Sequence, residues 1–105
     1  MISLVIKNEQ GQIVNYIEPE IRYVSSFGGF LFNISFELKE KFPLISHIDL
    51  YTDTYINQTQ APLYGEEFKK LSKYTKDGNL KKYCELVINE LNNLEFGNFL
   101  VFNGD

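Results

Sequence analysis

The sequence holds no tryptophan, one cysteine, one histidine and three prolines in 105 residues. A lone Cys84 cannot close an internal disulfide, so packing must hold the chain together, and a reducing cytoplasm is its expected home. A single His47 supplies no histidine cluster for a metal centre. Apolar runs stop after a few residues, which excludes a bilayer-spanning helix. The stretch Met1–Lys7 lacks the basic region and the apolar length of a signal peptide. Positive charge is also short: ten Lys and Arg against fourteen Asp and Glu give a net charge of −4 and a pI near 5.0. That balance is the reverse of what phosphate contacts require, so neither a non-specific nucleic-acid binder nor a basic membrane-surface helix is expected. Gly28-Gly29 has no following Gly-Lys-Ser/Thr and is no phosphate loop, and Ser25-Ser26 lacks the Gly-x-Ser-x-Gly of a nucleophile elbow.

What the chain does have is aromatic bulk. Nine Phe and seven Tyr make up 15% of it, and 44% is apolar. That is enough for one hydrophobic core and argues against disorder. No linker, repeat or low-complexity segment divides it, so residues 1–105 read as a single domain.

Ile2, Leu4 and Ile6 alternate with Ser3, Val5 and Lys7, the pattern of a strand. A polar turn at 8–12 leads to a second strand at Ile13–Ile17, which together form a β-hairpin. Ile21–Val24 is a third β-like run, with a short helix begun at Pro19 as the alternative. Residues 25–29 read as a loop broken at Gly28-Gly29. Phe30, Phe32, Ile34 and Phe36 then alternate strictly and predict a strand with an aromatic core face. Residues 37–42 fit a helical turn, and Pro43 restarts an extended stretch over Leu44–Ile48. Residues 49–62 are irregular, with extended pairing around Thr54–Ile56. Tyr64, Phe68 and Leu71 predict a helix over Leu63–Tyr74, with Glu66 and Glu67 in its first turn. Leu80, Cys84, Val87, Leu91 and Leu94 predict another over Leu80–Glu95. Phe99–Phe102 closes the chain as a short strand. The expected class is α+β: an antiparallel sheet of about four to six strands packed against two C-terminal helices. Phe32, Ile34, Phe68, Val87 and Leu91 are its expected core.

Few residues carry chemistry. His47, Asp49 and Asp53 fall in a His-x-Asp-x3-Asp arrangement that a small metal-dependent hydrolase would use, although carboxylates so placed in a loop ordinarily cap turns. Cys84 lies on an apolar helix stripe and reads as a buried structural thiol. Lysines from Lys69 to Lys82 read as a solvated face. The clearest charge feature is the absence of Lys and Arg between Lys41 and Lys69, where Asp49, Asp53, Glu66 and Glu67 sit beside Tyr51, Tyr55 and Tyr64. Carboxylates steer a basic partner and tyrosines anchor interfaces, so Asp49, Tyr51, Asp53, Tyr55, Glu66 and Glu67 are the candidate contacts. A competing surface lies around Tyr16, Arg22 and Tyr23.

The stretch His47-Ile-Asp-Leu-Tyr-Thr-Asp-Thr-Tyr-Ile-Asn-Gln-Thr-Gln-Ala-Pro62 resembles a pattern of small bacterial immunity proteins. In that pattern Ile-Asp-x-Tyr-x-Asp-Thr is followed by an apolar pair, Asn and a Pro leading into a helix. The close, Phe99–Asp105, is similar to the family's terminal strand ending in Gly-Asp, and the resemblance spans Pro43 to Asp105. Such proteins accompany polymorphic toxins, including those of contact-dependent growth inhibition, and each neutralises its cognate toxin. The resemblance implies a cytoplasmic inhibitor that is not an enzyme, with a toxin domain as partner and no cofactor, metal, nucleic acid or membrane. A toxin that attacks RNA or DNA must itself be basic, and an acidic inhibitor complements it, so a nuclease is the expected target. A regulatory interaction module without a toxin partner is the remaining alternative. Asp49, Asp53 and Asn57 are also suited to holding their loop by side-chain to backbone hydrogen bonds.

Overall fold

The hairpin strands are β1 (Ser3–Lys7) and β2 (Ile13–Ile17), and after them the chain turns helical. The computed structural model describes residues 2–104. Helix α1 (Ile21–Phe32) and the short α2 (Phe36–Lys41) lead to a 3-10 turn at Ile45–His47 and strand β3 (Thr54–Ile56). Helices α3 (Ala61–Tyr74) and α4 (Gly78–Asn92) precede strand β4 (Phe99–Asn103). The sheet is antiparallel, in the order β2-β1-β4-β3. This is the expected α+β class, with four strands among the described residues.

The strict alternation of Phe30–Phe36 does not form a strand. Residues 21–32, including the predicted Ile21–Val24 strand and the 25–29 loop, form one helix across Gly28-Gly29. Its buried residues Val24, Phe27 and Leu31 follow helical spacing. Two interior glycines cost the helix about 1 kcal/mol each relative to Ala. The packing of Phe27 offsets this: its ring stacks on Tyr83 at 4.5 Å and packs near Phe68 and Phe102. Phe30 is half-buried edge-on to Phe42 at 6.1 Å. Phe32 and Phe36 face outward at 72% and 77% exposure, and Ile34 is half-buried, so neither Phe32 nor Ile34 belongs to the core. The extended stretch expected after Pro43 is instead the 3-10 turn, with Ile45 and Ile48 buried.

Elsewhere the expected elements hold, with shifted ends. Helix α3 begins two residues early, directly after a turn that Asn57 and Gln60 close reciprocally. Gln60 N donates to Asn57 Oδ1 at 2.8 Å, and Asn57 N donates to Gln60 Oε1 at 3.0 Å. Glu66 and Glu67 therefore lie beyond its first turn, outside the reach of the helix-dipole argument. Asp77 caps α4 by accepting from Asn79 N and Leu80 N. Phe68, Val87 and Leu91 are buried as expected. Helices α3 and α4 pack together, α1 packs on α4, and their apolar stripes meet one face of the sheet.

Candidate functional site

The sheet register divides its side chains between two faces. Leu4, Leu100, Phe102 and Ile56 point into the helix-covered core. The opposite face has a rung running across all four strands: Tyr16 opposes Val5, Val5 opposes Val101, and Val101 opposes Tyr55. Val5 and Val101 are only 2% and 0% exposed, yet neither belongs to the helix-side core. Tyr16 and Tyr55 end the rung at 66% and 46% exposure. Among the described residues, Lys7 is the only charged residue within any strand. Its Nζ donates to the Tyr55 hydroxyl at 3.1 Å and lies 5.3 Å from that ring's centroid. The Tyr55 hydroxyl raises the Lys7 pKa, and the nearby Asp53 charge adds to the effect. Phe99 stands edge-on to Tyr55 at 6.0 Å.

Beside β3 lies the acidic loop, built by its own carboxylates. Asp49 Oδ1 accepts from Tyr51 N at 2.7 Å, and Asp53 Oδ1 accepts from Gly104 N at 3.2 Å. With Asn57 Oδ1 accepting from Gln60 N in the turn before α3, all three side chains hold backbone, as their types and spacing predict. Gly104 is fixed by a close approach: a Cβ there would fall 2.5 Å from both the amide nitrogen and the carbonyl oxygen of Thr52. The closing strand thus clamps the loop. Asp49, Tyr51, Asp53 and Tyr55 all remain exposed. Among the described residues, neither aspartate forms a salt bridge.

The six candidate contacts do not form one cluster. Asp49 and Tyr51 line a shallow cleft of about 220 Å³ with His47, Lys39 and Ile34. Asp53 and Tyr55 lie toward Lys7 and the uncovered face. Glu66 lines a separate groove between α3 and α4. Glu67 turns inward: it is 7% exposed, and its Oε1 accepts from Ile45 N at 2.7 Å. That carboxylate holds the 3-10 turn against α3, and it leaves the set of residues a partner can touch.

The hydrolase arrangement is split as well. His47 Nδ1 contacts the Pro43 carbonyl oxygen, His47 and Asp49 share the cleft, and Asp53 does not line it. No group of three His, Cys, Asp or Glu side chains converges among the described residues. Arg22 and Tyr23, from the competing surface, sit on α1. There Arg22 Nε is paired with Glu20 at 2.6 Å and its guanidinium lies over the Tyr23 ring. Tyr16 is what that alternative contributes to the site. Val5, Val101 and Phe99 were missed, although an apolar residue at every position from Leu4 to Ile6 already signals a strand with two dry faces. Among the described residues, no helix is long and apolar enough to cross a membrane. No protein-family model matches the chain, and neither a curated protein nor a solved structure does.

Proposed function

We propose that this chain is an immunity protein that binds and neutralises a cognate bacterial toxin domain, a basic nuclease acting on RNA or DNA, in the cytoplasm of the producing cell. The observation that carries the reading is an acidic loop beside edge strand β3, next to a sheet rung that Tyr55 ends at that edge and Tyr16 ends at the opposite one. The loop presents Asp49 and Asp53 without a paired cation among the described residues, and Tyr55 and Tyr16 end a nearly charge-free face. Tyrosines over a dry floor supply the anchors of an interface, and flanking carboxylates steer a cationic partner into register. Inhibition follows from covering the toxin's positive, nucleic-acid-binding surface, and it needs no chemistry from the inhibitor.

The test is co-expression with the C-terminal domain of the protein encoded by the neighbouring open reading frame. A complex should form with an affinity that falls as salt rises, because exposed charges are screened within about 8 Å at physiological ionic strength. Asp49→Asn with Asp53→Asn keeps the loop's acceptor oxygens and removes its charge, so association should slow while the fold persists. A toxin domain that stays free and fully active beside an excess of this chain overturns the proposal.

A further inference from the structure

The three long helices are secured differently at their ends. Helix α3 follows the turn that Asn57 and Gln60 close, carries Pro62 in its first turn and has Lys73 in its last. Asp77 caps α4. Helix α1 has none of these devices. No side chain accepts from its first amides, its first turn holds no carboxylate, and its last turn holds no cation. Arg22, although paired with Glu20, puts a positive charge at the end where the helix dipole favours a negative one.

The interior of α1 is no better suited to a helix. It contains Gly28 and Gly29, each a poorer helix former than alanine. Its last residues begin the alternation of Phe30, Phe32, Ile34 and Phe36, which favours an extended chain. Tertiary packing therefore holds α1, above all Phe27 stacked on Tyr83 of α4 at 4.5 Å.

That packing carries a cost of its own. Tyr83 is fully buried, and its hydroxyl has no hydrogen-bond partner among the described residues. A buried polar group without a partner destabilises the state that buries it. Phe27 covers the face of the same ring, so departure of α1 opens Tyr83 to water and relieves the hydroxyl. Residues 18–20, which include Pro19, and residues 33–35 are irregular on either side of α1 and supply its hinges.

We propose that α1 is a lid, undocking as a unit from α4 while the sheet, α3 and α4 stay folded, and uncovering the rings of Tyr83, Phe68 and Phe102. The bare ends and paired glycines leave α1 little stability of its own, and the Tyr83 hydroxyl biases the equilibrium toward opening. The lid is independent of the proposed function.

The test is native-state amide hydrogen exchange on the full chain at low denaturant concentrations. The amides of Val24, Phe27 and Leu31 should share one opening, at least about tenfold more frequent than that of Val87 and Leu91. Its denaturant dependence should be shallower, because one helix exposes less surface than the whole domain. Tyr83→Phe keeps the ring and removes the hydroxyl, and it should slow α1 exchange at least about fivefold. Gly28→Ala with Gly29→Ala should slow it about tenfold, since neither glycine has a positive φ and neither Cβ would meet an atom within 4 Å. Both variants should melt above the wild-type temperature. Exchange of α1 and α4 through one common opening of equal denaturant dependence overturns the lid. So does α1 exchange that is unchanged or faster in Tyr83→Phe.

Discussion

On the helix-covered face of the sheet, Leu4, Leu100 and Phe102 are buried by residues brought from three helices far along the chain. On the opposite face Val5 and Val101 are as well buried, outside that helix-side cluster. They lie at the middle of the rung that Tyr16 and Tyr55 end, beside Lys7 and Phe99. The two faces bury similar side chains in different surroundings. The covered face is where stability resides, since its aromatic rings pack on one another from Tyr83 through Phe27 and Phe68 to Phe102. The open face keeps the Tyr16 and Tyr55 rings partly in water, as the proposed docking of a partner requires.

The sharpest way to break this contrast is truncation on each face. Phe102→Ala should cost about 3–5 kcal/mol in denaturant unfolding, because it leaves a cavity beside the rings of Phe68 and Phe27. Val101→Ala, its neighbour pointing the other way, should cost roughly 1.5–3 kcal/mol at most, the worth of one buried aliphatic side chain. Equal losses would mean that both faces are structural.

Glu66 and Glu67 sharpen the same distinction within two adjacent residues. Glu67→Ala strands the Ile45 amide and should cost about 1–3 kcal/mol. Glu66→Ala should stay within about 0.5 kcal/mol of wild type in the same unfolding experiment. On the proposed function, Tyr55→Ala and Tyr16→Ala should lower affinity for the toxin domain by at least about tenfold, as interface anchors do. Their melting temperatures should fall far less than that of Phe102→Ala.

Alkaline pH gives a subtler readout of the covered side. Burial pushes the Cys84 thiol from 9.0 up to about 12, with Glu85 adding to it, and burial raises the Tyr83 phenol too. Both groups hold their protons more tightly folded than unfolded. Their contribution is complete below pH 9 and is lost as pH rises toward about 12, so denaturation midpoints should decline across that window. Native Cys84 should also resist alkylation at neutral pH. The smallest expected effect is Phe32→Ala, within about 0.5 kcal/mol, because the ring stands in solvent. A larger loss would restore the aromatic strand face that the alternation predicted.

That alternation misled for a definite reason. Phe30, Phe32, Ile34 and Phe36 repeat every second residue, but Val24, Phe27, Phe30 and Leu31 also fit a helix, and local periodicity cannot rank the two. The candidate site was legible in part. The residue types at Asp49, Asp53 and Asn57 foretold their hydrogen bonds, whereas the inward turn of Glu67 depends on a partner amide 22 positions away.

By itself the sequence determined the opening hairpin, the helices around Phe68 and Val87, the closing strand and the acidic, cation-free middle, because each is written in neighbouring residues through periodicity, caps and charge. Only the tertiary structure decided that Gly28-Gly29 lies within a helix, that Glu66 and Glu67 part company, and that Tyr16 and Tyr55 end one rung. Those outcomes depend on contacts between distant segments, where the packing of Phe27 on Tyr83 and the register of β1 on β4 outweigh any local preference.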